Sequence, residues 1–146
     1  MKWKLERAGR GPCFECTQCG ECCRVHGDYA HVYVTRREER AFTEFLGISV
    51  ASFRRGYTFV DEEGWRELVF TKDRCVFLDE ETNRCEVYPV RPTACRTFPF
   101  WRELVRDGRW TRKAKKLCEG VGRGRTYSPE EIEVRMIEMD LTELEP

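Results

Sequence analysis

The sequence predicts a small, irregular α+β domain organised around cysteine-ligated metal, with short strands and a C-terminal helix. Three observations carry that expectation. Apolar runs are brief and separated by turn residues, so no long strand or helix dominates the middle of the chain. Two helices are marked by capping sequences, at Thr35 and at Ser128. Nine cysteines occur in 146 residues, many in stretches too polar to pack as core unaided. A charged fraction of 36% with 12% aromatic residues fits a soluble globular chain and not a disordered one. The length suits one domain over 1–146, with a motif-bearing core at 14–125.

The elements follow in order. Residues 1–12 are a polar lead ending in the turn Arg10-Gly11-Pro12. Residues 13–28 hold five cysteines and three acidic residues, a loop that needs something to organise it. Ala30 to Val34 alternates as a strand, with His31 and Tyr33 on one face and Val32 and Val34 on the other. Thr35 with Glu38 forms a capping box, Ala41, Phe42, Phe45 and Leu46 give the apolar stripe, and Gly47 ends the helix. Ser49 to Arg54 reads as a second short helix. Tyr57–Val60 and Trp65–Phe70 read as strands across an acidic turn, and Val76–Leu78 as another strand. Pro89-Val-Arg-Pro92 breaks regular structure. Phe98–Val105 is expected to pair with Trp110 onward across Asp107-Gly108. Ser128, Pro129 and Glu131 are N-cap, N1 and N3 of a last helix over 129–140, whose apolar set includes Ile132, Met136, Ile137 and Met139.

The cysteines carry the chemistry. Cys13, Cys16, Cys19, Cys22 and Cys23 form the first group; Cys75, Cys85, Cys95 and Cys118 form the second. A Cys-x-x-Cys unit lets two thiolates converge across a tight turn, and Gly20 favours such a turn. The run Cys16-x-x-Cys19-x-x-Cys22 has ferredoxin-like spacing, and it also suits zinc. All-sulfur ligation points to zinc or iron–sulfur without choosing between them. Eight thiolates are enough for two four-ligand sites. Cys22 and Cys23, if extended, point to opposite faces and suit two different centres. Secreted disulfide scaffolds carry a signal segment and an even cysteine count. Here the count is odd, and Met-Lys-Trp-Lys-Leu-Glu lacks a signal's apolar middle. The expected location is the cytoplasm, where ordinary thiols stay reduced.

Other residues are weighed against this centre. His26 is an alternative zinc ligand, and His31 is structural. Arg24, Arg91 and Arg96 lie beside cysteines in sequence, where cations would offset an anionic metal centre; Arg91 and Arg96 are the expected cofactor contacts. Tyr57, Trp65, Trp101 and Trp110 are expected in the core. Two histidines leave no readable Ser–His–Asp arrangement, and no catalytic residue is assigned. Zero formal net charge gives no bulk signal for nucleic acid, and no run approaches the roughly 18 apolar residues of a membrane span. The basic stretch 109–125 either faces solvent and the acidic last helix, or binds an anionic partner such as RNA or a phosphate-bearing cofactor near Cys118. Gly120-x-Gly122-x-Gly124 lacks the strand-to-helix setting of a dinucleotide fingerprint; its glycines suit a tight path around a metal site.

The ordered motifs Cys16-x-x-Cys19-Gly20-x-Cys22-Cys23, Cys75-Val-Phe-Leu, Cys85-Glu-Val-Tyr-Pro-Val-Arg91-Pro92-Thr-Ala-Cys95-Arg96-Thr-Phe98-Pro99 and Cys118-Glu-Gly-Val-Gly-x-Gly124 resemble the YkgJ-type cysteine-cluster family of zinc- or iron-chelating domains. The helix with Glu39 and Phe45 also fits, and the resemblance covers roughly 14–125. It implies metal ligation by Cys16, Cys19, Cys22, Cys23, Cys75, Cys85, Cys95 and Cys118, and leaves Cys13 outside the pattern. A similar domain in flagellin lysine methylases is held to carry an iron–sulfur cluster and to use S-adenosylmethionine. The leading expectation is therefore an iron–sulfur protein, with one or two 4Fe-4S clusters and a structural, electron-transfer or cluster-handling role. The alternatives are a cluster-dependent methyl-transfer enzyme and a zinc-stabilised module that binds a protein or RNA.

Overall fold

A computed structural model describes residues 12–24 and 31–142, so His26 and Ala30 lie outside the described residues. Within them the chain is mixed α+β, and its sheets are four separate two-stranded antiparallel ladders. The first joins β1 (Cys13–Phe14) to β8 (Arg125–Thr126) and so ties the start of the described chain to the segment just before its last helix. Residues 31–34 run beside the later hairpin through a single bridge, Tyr33 to Glu67. His31 and Tyr33 stack on one face while Val32 and Val34 are buried on the other, as the alternation predicted.

Helix α1 (Arg36–Leu46) begins with the expected capping box: Glu38 N–H donates to Thr35 Oγ1 and Thr35 N–H donates to the Glu38 carboxylate. It ends at Gly47 with φ 66°, a left-handed conformation that suits glycine. Phe42 is fully buried, whereas Phe45 is largely exposed. Helix α2 (Val50–Tyr57), capped by Ser49, takes in Tyr57, which the sequence pattern had given to a strand. The hairpin of β2 (Thr58–Val60) and β3 (Arg66–Leu68) forms across the acidic turn. Phe70 belongs instead to a separate pair, β4 (Phe70–Thr71) with β5 (Arg74–Cys75); the change of partner falls at Val69, whose N–H still donates to Tyr57 O in the hairpin register while its carbonyl accepts from Val76 N–H.

Three expectations fail between 76 and 117. Val76–Leu78 is a turn and not a strand: Leu78 N–H donates to Cys75 O, and only Leu78 bridges to Cys85. Burial drives that triplet inward all the same, and a short apolar run does not reveal its backbone type. Beyond the proline-rich bend the chain re-forms a short helix, α3 (Thr93–Thr97), with Pro92 at its N-cap. The hairpin at Asp107-Gly108 exists, but its strands are only β6 (Val105–Arg106) and β7 (Arg109–Trp110), since the chain just before them is a turn in which Leu104 and Val105 N–H both donate to Trp101 O. After Trp110 comes helix α4 (Arg112–Leu117), where strand was expected; Thr111 Oγ1 caps it by accepting from Ala114 N–H. Helix α5 (Pro129–Thr142) starts with the predicted Ser128–Glu131 capping box and buries Ile132 and Met136, while Ile137 is exposed.

Two apolar clusters result. In one, Phe42, Phe53, Tyr57 and Phe77 stack with centroid separations of 4.9 to 5.9 Å. In the other, Phe100, Trp110, Leu104 and Ala114 meet Ile132 and Met136 of α5. Trp101 packs against both.

Candidate metal centre

A cavity of about 270 Å³ lies between the two clusters, lined by Val32, Leu68, Phe70 and Phe77 from one and Phe14, Phe98 and Phe100 from the other. Cys16, Cys19, Cys22, Cys23, Cys75, Cys85, Cys95 and Cys118 all line it. Cys13 does not; its sulfur lies 3.4 Å from Thr126 Oγ1 in the terminal ladder. None of the nine cysteines forms a disulfide.

The local backbone explains how distant cysteines reach one space. Gly20 (φ 82°) starts a 3-10 turn over Glu21–Cys23, and a Cβ there would run into Asn83 O, so only glycine fits. The turn corrects the expectation of an extended pair: Cys22 and Cys23 both face the same cavity. Asn83 holds the loop by donating from Nδ2 to Cys19 O and accepting on Oδ1 from Arg24 Nη2 at 2.7 Å. The far side of the loop is held where Glu15 N–H donates to Gly120 O at 3.1 Å; a Cβ on Gly120 would overlap the Glu15 carbonyl. Gly124 meets the same segment at Phe14 and Glu15, whereas Gly122 has open space and takes a left-handed φ of 88°. Cys75 ends β5, Cys85 sits in the bridge to Leu78, Cys95 lies within α3, and Cys118 caps the end of α4. Helix α3 is itself fixed by Thr93 N–H donating to the Glu38 carboxylate at 2.7 Å and by Trp101 Nε1 donating to Ala94 O.

The thiols sense one another. Hydrogen bonds to Cys22 and Cys85, then burial, push Cys23 far up. The same bond from Cys23 is the largest cause drawing Cys85 down to about 7, with Arg91 also helping. Cys22 is lowered chiefly by Cys23 as well, against burial. Burial first, then the neighbouring Cys22, Cys75 and Cys85, drives Cys95 well up. Cys75 and Cys118 are each raised by burial to about 11. At the rim, Cys16 hydrogen-bonds the Tyr88 hydroxyl and raises it.

Three arginines line the same space. Arg91 acts electrostatically on Cys22, Cys85 and Cys95 and stacks over Tyr88 at 3.8 Å. Arg96 lines the cavity too, but its guanidinium is engaged by Glu138 at 3.1 Å and Thr93 at 3.2 Å. Arg24 turns away to Asn83, Glu21 and Asp73. Arg135, which sequence reasoning missed, reaches the cavity from α5 across the rings of Phe100 and Tyr127. Only its position on the inner face of the last helix could have signalled it. His31 lies outside this wall and bonds Glu67 at 2.6 Å.

The described lining contains no carboxylate and no histidine. Sulfur donors with cations behind them suit a soft, thiolate-bound centre and not a hard cation that takes oxygen ligands. Among the described residues, no three His, Cys, Asp or Glu side chains converge tightly enough to make a ready site for a metal ion. The donor chemistry fits; a compact ligand set is not formed.

The family model CxxCxxCC, described as "Putative zinc- or iron-chelating domain", matches residues 15–119. The chain belongs to this family. Its CxxCxxCC signature is Cys16 to Cys23, and the matched span takes in all eight cavity cysteines. A Methanocaldococcus jannaschii protein named uncharacterized protein MJ0661 is 30% identical over 110 residues, which is 75% of this chain. The match covers 57% of that protein's length. No solved structure matches the chain.

Proposed function

We propose that this CxxCxxCC domain is an iron–sulfur protein, its cavity holding one or two clusters, 4Fe-4S in type, with a structural, electron-transfer or cluster-handling role. The observation that carries the reading is the common wall of eight cysteines around one cavity of about 270 Å³, backed by Arg91, Arg96 and Arg135 and free of carboxylates among the described residues. A single zinc ion bonds sulfur at 2.3 Å, so its four sulfurs must crowd within about 3.8 Å of one another. Eight thiols around one space are more than a single zinc ion takes, which suits a polynuclear centre better.

The proposed ligands are drawn from Cys16, Cys19, Cys22, Cys23, Cys75, Cys85, Cys95 and Cys118. Bound there, a cluster would supply one-electron redox chemistry. The chain would exclude water through Val32, Leu68 and Phe77, and Arg91 would offset the anionic charge. A reducing compartment, the cytoplasm, belongs to the same proposal.

One observation favours a second reading. The cavity runs past the sulfur wall to Phe14, Phe98, Phe100, Tyr127 and Arg135, leaving a lined space where a substrate would meet the centre. A cluster-dependent enzyme of methyl-transfer type would use that space. Anaerobic purification decides among the readings. Brown protein with broad absorption near 400 nm and matching iron and sulfide is expected. Colourless protein with stoichiometric zinc would overturn iron–sulfur and leave the zinc-stabilised module. Saturable S-adenosylmethionine binding by the loaded protein would promote the enzyme.

A further inference from the structure

The basic segment after Leu104 lies mostly outside the metal centre and forms a surface of its own. Arg106 and Arg109 are direct cross-strand partners in the β6–β7 hairpin, and both are exposed. Trp110 turns into the core, which sends the Arg109 side chain to the outer face. Like charges placed directly opposite on one face of a ladder destabilise it. Helix α4, packed on β7, adds Arg112, Lys115 and Lys116, all exposed above buried Ala114. Its first turn carries no acid, so Arg112 stands at the helix end where a cation is disfavoured.

None of these five cations forms an ion pair among the described residues. Asp107, the one acid between 106 and 116, sits in the tight turn with φ 51°. The acids of α5 do not answer them either: Glu131, Glu138 and Asp140 are taken by Arg125, Arg96 and Arg102, and Glu130 and Glu133 form no ion pair among the described residues. At Arg106, Arg109 and Arg112 positive charge thus accumulates where local stability opposes it, while Lys115 and Lys116 extend the same face from the last turn of α4.

We propose that this face binds the phosphate backbone of a nucleic-acid duplex without reading its sequence. The charge selects a polyanion. No large apolar side chain is exposed between 105 and 126 to anchor in a bilayer, and the same absence leaves no aromatic platform for single-stranded bases. The inference goes beyond the metal reading and does not depend on it.

Fluorescence anisotropy of the whole protein with short labelled RNA and DNA duplexes of scrambled sequence tests it. Binding is expected at low salt, with a slope of log K against log salt of about −3 to −5, near 0.9 per neutralised phosphate. Lys115→Gln with Lys116→Gln should reduce the slope by about two, and Arg106→Gln with Arg109→Gln should do the same independently. Metal content and thermal unfolding, measured on the same samples, should match the parent protein. The proposal is overturned by absent or salt-insensitive binding, by unchanged slopes in both double variants, by tighter binding to single strands, or by equal binding to phosphatidylserine vesicles.

Discussion

Cys23 hydrogen-bonds two other thiols, and this makes the cavity chemically uneven before any metal is considered. Its bond to Cys85 lowers that thiol more than Arg91 does. In metal-free, reduced protein, Cys23→Ala should therefore move the alkylation midpoint of Cys85 upward from about 7, and Arg91→Gln should move it in the same direction by less. Peptide-level alkylation against pH reads both; a larger shift from Arg91→Gln would contradict the ordering. The sign follows from each group favouring the thiolate, by a hydrogen bond in one case and by a positive charge in the other. Gly120 sets a different kind of limit. A methyl group there meets the Glu15 carbonyl, which is backbone and has no rotamer to yield. Gly120→Ala should cost about 1–3 kcal/mol in denaturant unfolding, as overpacking does, and should weaken metal retention by displacing the loop that carries Cys16 and Cys19.

At the scale of elements, local chemistry was legible and long-range pairing was not. Capping boxes at Thr35 and Ser128, the Gly47 stop and the Asp107-Gly108 turn all depend on residues within a few positions of each other, and each is where the sequence put it. Helices α3 and α4 were missed because they are five and six residues long, too short to show a period. Their stability comes from partners elsewhere in the chain. Helix α3 depends on Glu38, whose carboxylate both caps α1 and accepts from Thr93 N–H, so one residue in α1 orients the helix that carries Cys95. Glu38→Ala should destabilise the fold by about 2 kcal/mol, combining a lost cap with a lost charge-assisted hydrogen bond. It should also lower the metal content of purified protein, whereas Thr35→Ala, which removes only the cap, should lower stability by about 1 kcal/mol and leave metal content intact. Equal metal loss in both variants would place Glu38's effect in α1 alone.

Across the whole molecule, the eight cysteines meet only because two apolar clusters hold their segments on opposite sides of one cavity. The ligand candidates were readable as types and spacings. Their common wall was not, since Cys16 and Cys118 are brought together by contacts such as Glu15 to Gly120 that no local pattern encodes. Arg135 was hidden for the same reason, arriving as a charged residue beside the apolar set of the last helix, with nothing local to show that it reaches the cavity. Because Cys23, Cys75, Cys95 and Cys118 are all held toward the protonated thiol, folding, metal and pH are linked. Cys75 and Cys118 have raised values, about 11 against 9.0, so their contribution to the metal-free fold is complete below pH 9 and is lost as pH rises through 11. Metal ligation requires the opposite protonation state and releases those protons, so apparent metal affinity should rise with pH over the same window. The two curves must then diverge: chelated, reduced protein should lose unfolding free energy from pH 9 upward, while loaded protein should hold its stability further into alkali. Parallel loss in both samples would mean that the buried thiols do not become ligands.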